Sequence, residues 1–149
     1  MTNARYQTGR RLIFVGILLF LLGLFTGFLI PALEIPRMGL TSHLEGIMNG
    51  TFLVAIGLFW HRLRLPGWAS LATFALAVYG AYANWFATLL AAYWGGGRTM
   101  PIAAGGRQAT PSQEAILDFL LYSLSFAMIA AVILILIGLR GKDPDEAAA

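Results

Sequence analysis

The segment Leu40-Thr-Ser-His43-Leu-Glu45-Gly-Ile-Met-Asn49-Gly50 puts an imidazole, a carboxylate and a carboxamide close together at the start of an apolar run that continues to Trp60. Such groups are costly in hydrocarbon unless partners or a ligand satisfy them, so together they mark a functional site. Histidine is the commonest metal ligand, and its neutral form suits an apolar setting. The other histidine, His61, lies further along the same segment, ~27 Å away at ~1.5 Å per helical residue. One protomer therefore cannot bring both onto one metal. A zinc site of two or three histidines is disfavoured, whereas a haem with one axial histidine and an open sixth position needs His43 alone. The competing reading is an interfacial histidine bonded to a carbonyl, and the residues weigh the two evenly.

On a helix, Glu45 points about 200° and Asn49 about 240° around from His43. Glu45 is thus expected to make a structural or inter-subunit contact. A pocket that uses both His43 and Asn49 must wrap around the helix or include a second subunit. Gly46 and Gly50 admit a flat cofactor or a neighbouring helix. On a later segment, Tyr82 and Asn84 can donate hydrogen bonds to a developing negative charge, or simply tie helices together. Tyr79, Asp118 and Tyr122 could converge with them, while Ser123 and Ser125 read as helix contacts.

The elements that must position these groups follow from composition. The chain has 149 residues, 58% of them hydrophobic and 11% charged, and a mean hydropathy of +0.74; this is too apolar for a soluble domain. Four apolar segments, Leu12–Leu33, Leu40–Trp60, Trp68–Trp94 and Ala115–Leu139, each reach the ~20 residues a membrane-spanning helix needs. No alternating pattern of barrel strands is present, so the expected fold is all-α, an integral membrane four-helix bundle. Residues 1–11 form a cytoplasmic N-terminal segment, 12–139 a single transmembrane domain, and 140–149 a disordered cytoplasmic tail. The first run imitates a signal peptide but is too long and lacks a small-residue cleavage site.

Arg5, Arg10, Arg11, Arg62, Arg64, Arg140 and Lys142 fall on one side of this topology, and Arg37, Arg98 and Arg107 on the other. Both termini are therefore expected in the cytoplasm. The net charge of +3 follows from that distribution and gives no reason to invoke nucleic acid. Having no cysteine, the chain has no disulfide, thiolate metal ligand or iron–sulfur cluster. The Gly- and Pro-rich connection from Gly95 to Glu114 reads as a flexible exit from the third helix; its Gly95-Gly-Gly97 run lacks the context of a phosphate loop. Trp60, Trp68 and Trp94 suit interfacial belts, and His61 the cytoplasmic interface.

The run Gly9–Leu24, the Glu34-Ile-Pro36 turn, the Ser42–Gly50 segment and Tyr82-Ala-Asn84-Trp85 resemble the hydroxylaminobenzene mutases and, more distantly, the styrene oxide isomerases. The resemblance implies that His43 is the axial ligand of a haem b, that Asn49 lines the substrate site, and that the active unit is a homotrimer. It implies a redox-neutral rearrangement of an aryl hydroxylamine to an ortho-aminophenol in nitroaromatic catabolism. The haem iron would act as a Lewis acid, with Asn84 and Tyr82 as further catalytic candidates and Gly46 and Gly50 beside the cofactor. In an ungapped comparison, Gly80 and Thr88 stand where the epoxide isomerases carry an acid and a tyrosine, which weighs against epoxide isomerisation. Alternatives are an epoxide isomerase, a small b-type cytochrome, and a transporter that uses Glu45 as its coupling carboxylate.

Overall fold

The computed structural model describes residues 2–140. Its elements are α1 (Thr2–Leu29), α2 (Pro36–Phe59), α3 (Gly67–Trp94), the short α4 (Pro101–Ala104) and α5 (Pro111–Arg140), with no strand among the described residues. Proline punctuates this order. Pro36 opens α2 and Pro111 opens α5, at positions where the missing N–H costs nothing and the fixed φ suits a first turn. Thr110 precedes α5, and Gln113 reaches back to accept from its backbone N–H at 3.0 Å and its hydroxyl at 2.8 Å, the reciprocal part of a capping box. Gly95 ends α3 at φ 74°, a left-handed conformation that glycine adopts without a side-chain clash.

The expected N-terminal segment is not separate, because α1 begins at Thr2 and runs straight into the apolar stretch. Positions 141–149 of the expected tail lie outside the described residues. Arg5–Ala32, Gly67–Trp94 and Pro111–Arg140 are long and apolar enough to cross a membrane. The remaining long helix, α2, is not among them. It carries Arg37, Thr41, Ser42, His43, Glu45 and Asn49, the groups that require an explanation.

The helices form a bent row: α1 packs along α2 and also touches α3, α2 packs against α3, and α3 against α5, while α1 and α5 make no extended contact. The outer helices consequently keep broad apolar faces, with Phe14, Ile17, Phe25 and Phe28 exposed on α1 and Phe119, Phe126, Ile129 and Ile133 on α5. At one end, Tyr6 stacks on His61 with ring centroids 5.5 Å apart, and the Arg64 N–H donates to the Gly138 carbonyl at 2.9 Å. The start of α1 and the end of α5 therefore lie at the same end as the α2–α3 turn. Trp60 is buried at 1% exposure in the adjoining core rather than placed in an interfacial belt; Trp68, at 72%, is exposed.

Glycine sets the α1–α2 seam. A Cβ on Gly9 would lie 2.6 Å from the Gly57 carbonyl oxygen, one on Gly16 2.7 Å from that of Gly50, and one on Gly46 2.5 Å from the Gly23 Cα. Backbone meets backbone at each point, and close approach of this kind lets dispersion and weak Cα–H···O contacts accumulate where no hydrophobic drive separates helix from lipid. Gly46 and Gly50 thus lie in the α1–α2 seam, where the α1 backbone takes the space beside each of them.

At the opposite end, the α3–α5 connection is a packed structure and not a loose exit. Glu114, 2% exposed, accepts the Arg98 N–H on one carboxylate oxygen at 2.8 Å and the Ala109 N–H on the other at 2.7 Å. Its carboxylate thus bridges both arms of the loop. Arg98 also pairs with Asp118 through its guanidinium, and this bond, with the Asp118 charge behind it, raises the Arg98 pKa further. Arg107 donates to the Glu34 carbonyl at 2.9 Å, tying the loop to the α1–α2 turn.

Candidate functional site

The residues of the polar segment divide between two faces of α2. His43 turns toward α1, where its Nδ1 lies 2.8 Å from the Gly23 carbonyl oxygen. A Cβ on Gly27 would come within 2.9 Å of that same nitrogen, so the absence of side chains on α1 makes the room for the ring. A carbonyl accepts only, so Nδ1 carries the proton and donates. In the neutral ring Nε2 is then the lone-pair nitrogen, and it has no hydrogen-bond partner among the described residues. An imidazole held this way has a fixed tautomer and ring orientation and is prepared to ligate through Nε2.

The opposite face belongs to Glu45. Its Oε2 accepts from Asn49 Nδ2 at 2.9 Å and from Asn84 Nδ2 at 2.6 Å, uniting one helical turn of α2 with α3. The two asparagines expected to serve the site do converge. The link between them is the residue that sequence reasoning had assigned to a structural or inter-subunit contact. All three are half-buried, so the cluster opens onto the surface of the single chain. The two amide donors compensate the loss of hydration that a carboxylate suffers in apolar surroundings.

Ser42, Trp85 and Thr88 frame this cluster. Ser42 donates to the Trp85 carbonyl at 3.0 Å, and the Trp85 indole N–H to the Thr26 hydroxyl at 3.0 Å. Thr88 is 2% exposed and donates within its own helix to the Asn84 carbonyl at 2.9 Å and that of Trp85 at 3.0 Å. The Ser42 and Trp85 bonds fix the rotation of α3 against α2 and α1, which aims Asn84 at Glu45.

Other candidates do not join. Tyr82 points away from Asn84 and donates to the Val15 carbonyl of α1 at 2.8 Å, which makes it an interhelical tie. Tyr79 lies 2.6 Å from the Ser123 hydroxyl, and Asp118 is engaged by Arg98. The expected convergence of these groups is therefore absent. At the two positions noted against the epoxide isomerases, Gly80 faces the Met128 side chain and the Thr88 hydroxyl is turned to backbone.

The family model for styrene oxide isomerase matches residues 8–140. Hydroxylaminobenzene mutase HabB of Ectopseudomonas oleovorans is 58% identical over 132 residues, which cover 88% of this chain and 80% of that protein. Hydroxylaminobenzene mutase HabA of the same organism is 52% identical over 125 residues, covering 83% of this chain and 93% of that protein. No solved structure matches.

Proposed function

We propose, on the premise that this chain belongs to the styrene oxide isomerase family and is an isomerase like its mutase relatives, that it converts aryl hydroxylamines to ortho-aminophenols. The identity to the two mutases carries this reading. In the reaction, the N–O bond breaks, the hydroxyl oxygen joins the ortho carbon, and the ring proton displaced there is balanced by the one gained at nitrogen. Substrate and product are isomers, so no external reductant is needed.

The donor chemistry of His43 fits a haem b. Among the described residues no three histidine, cysteine, aspartate or glutamate side chains cluster to hold a bare metal ion, whereas a haem would bring its own ring nitrogens and need a single imidazole from the protein. His43, its Nδ1–H given to Gly23, would supply that ligand through Nε2. A haem held there would supply Lewis acidity to the site. The chain's own polar groups hold the substrate: Asn49 and Asn84, braced on Glu45, keep the N–OH group beside the ring so that transfer goes to the near ortho carbon.

We place this enzyme in the inner membrane as a four-helix bundle with both termini cytoplasmic. Arg5, Arg10, Arg11, Arg62, Arg64 and Arg140 lie toward the end that carries the α2–α3 turn, which supports that orientation. The active unit is a homotrimer. Support comes from the open row of helices, whose outer faces are apolar, and from His43 and the Glu45 cluster facing different sides of α2, as a pocket shared between subunits requires.

Purified protein in detergent tests the reading. It should show a Soret band and turn hydroxylaminobenzene into 2-aminophenol with oxygen-18 retained from the hydroxylamine. Wholesale incorporation of solvent oxygen would overturn the held transfer, and failure to form the aminophenol would overturn the mutase assignment.

A further inference from the structure

Both asparagines spend their donors on one carboxylate oxygen. Asn49 Nδ2 and Asn84 Nδ2 each donate to Glu45 Oε2, at 2.9 and 2.6 Å. A carboxylate accepts and an amide nitrogen donates, so neither carboxamide can be turned over without setting its carbonyl oxygen against the carboxylate. Each Oδ1 is consequently directed away from Glu45, and neither has a hydrogen-bond partner among the described residues. The half-buried cluster thus presents two acceptors at its open side.

We infer that Glu45 is a positioning residue that fixes the polarity of the site: by holding both amide donors it leaves Asn49 and Asn84 to read hydrogen-bond donors on the substrate. The inference rests on the mutase reading above and specifies how the substrate is recognised. An aryl hydroxylamine offers one N–H and one O–H next to its ring, and two acceptors on neighbouring helices can take both. A molecule of the same skeleton that bears only an acceptor oxygen meets two carbonyls and is repelled. Asparagine without such a brace distinguishes nothing, because its amide can rotate to offer either end.

Geometry separates this role from the His43 side. The imidazole faces α1 and Glu45 faces α3, so a change at Glu45 leaves the ligating nitrogen and its Gly23 acceptor in place. A variant that alters substrate polarity preference with an unchanged Soret band therefore reports on the brace alone.

The experiment measures dissociation constants by stopped-flow mixing, read before turnover, for hydroxylaminobenzene and for benzaldehyde, which has the same number of heavy atoms and an acceptor oxygen but no N–H or O–H. Wild-type protein should favour the hydroxylamine by about tenfold or more, as expected of a site built to bond a substrate donor. In Glu45→Ala the ratio should fall below about threefold, with KM for the hydroxylamine rising and the Soret maximum unmoved. Glu45→Met, which keeps the length of the side chain and lacks an acceptor, carries the same expectation if the alanine variant does not fold. Glu45→Gln can still accept both amides and should retain the preference.

A wild-type ratio preserved in Glu45→Ala or Glu45→Met would overturn the inference, as would its loss in a folded Glu45→Gln. Failure of the mutase reading looks different: the wild-type protein would form no aminophenol, whatever the binding ratio.

Discussion

The two faces of α2 are built by opposite means. Toward α1 the chain removes side chains, so that Gly46, Gly50 and Gly57 meet Gly23, Gly16 and Gly9 at backbone distance, and a single imidazole is set in the space that remains. Toward α3 it adds polar side chains and makes them satisfy one another through Glu45. The first face is held by shape and the second by hydrogen bonds. The contrast teaches that a membrane helix too polar to count as a spanning segment on its own can still be covered, one side by close packing and the other by internal pairing.

Removing the proposed haem ligand breaks the comparison most severely. His43→Ala should reduce mutase turnover to less than about one-hundredth, beyond the ~10–100-fold typical of losing a supporting group around a metal, and should abolish the Soret band. His61→Ala, which changes only the ring stacked on Tyr6, should keep both. Full absorbance and turnover in His43→Ala would remove the α1-facing half of the argument.

A test of the shape-held face comes next. Gly46→Ala would put a Cβ 2.5 Å from the Gly23 Cα, with no flexible side chain to yield. Overpacking of this kind costs about 1–3 kcal/mol, read as a lowered thermal midpoint in detergent. Gly67→Ala is the control, since a Cβ there meets nothing within 4 Å. Equal midpoints for the two variants would show that the seam is not tightly packed.

The hydrogen-bonded face should respond in catalysis more than in folding. Asn84→Ala should lower kcat/KM by about tenfold, equivalent to ~1.4 kcal/mol, while haem content stays at the wild-type level. Coupled loss of haem would mean that the two faces are not independent.

The smallest effect is expected at Tyr82. Tyr82→Phe deletes the bond to the Val15 carbonyl and should cost about 1 kcal/mol of stability, with turnover within about twofold of wild type. A turnover loss as large as that of Asn84→Ala would return Tyr82 to the site.

Helix positions were legible in the sequence because length and apolarity set them, and His43, Asn49 and Asn84 were legible because polar groups are rare in such segments. The pairing of Asn49 with Asn84 was not, since it depends on the rotation of α3 about its axis, which is set by Trp85, Thr26 and Ser42. Gly46 and Gly50 were ambiguous for a physical reason: a missing side chain admits a ligand or a helix equally well, and only the partner decides. Glu114 was hidden differently. A carboxylate in a Gly- and Pro-rich connection reads as solvated, and its burial follows from two backbone donors that the folded loop delivers to it.

The bonds at the two faces also differ in how far they reach along the chain: His43 finds Gly23 twenty residues away, whereas Glu45 finds Asn84 thirty-nine away. During synthesis the first pair can therefore close as soon as two helices have emerged. The second must wait for a third. In that interval Glu45 has only Asn49, one turn along its own helix, as the polar partner it will keep. The order of emergence thus sets the His43 imidazole first and completes the Glu45–Asn84 pairing afterwards, so under the roles proposed above an interrupted chain would hold a cofactor mount without a recognition surface.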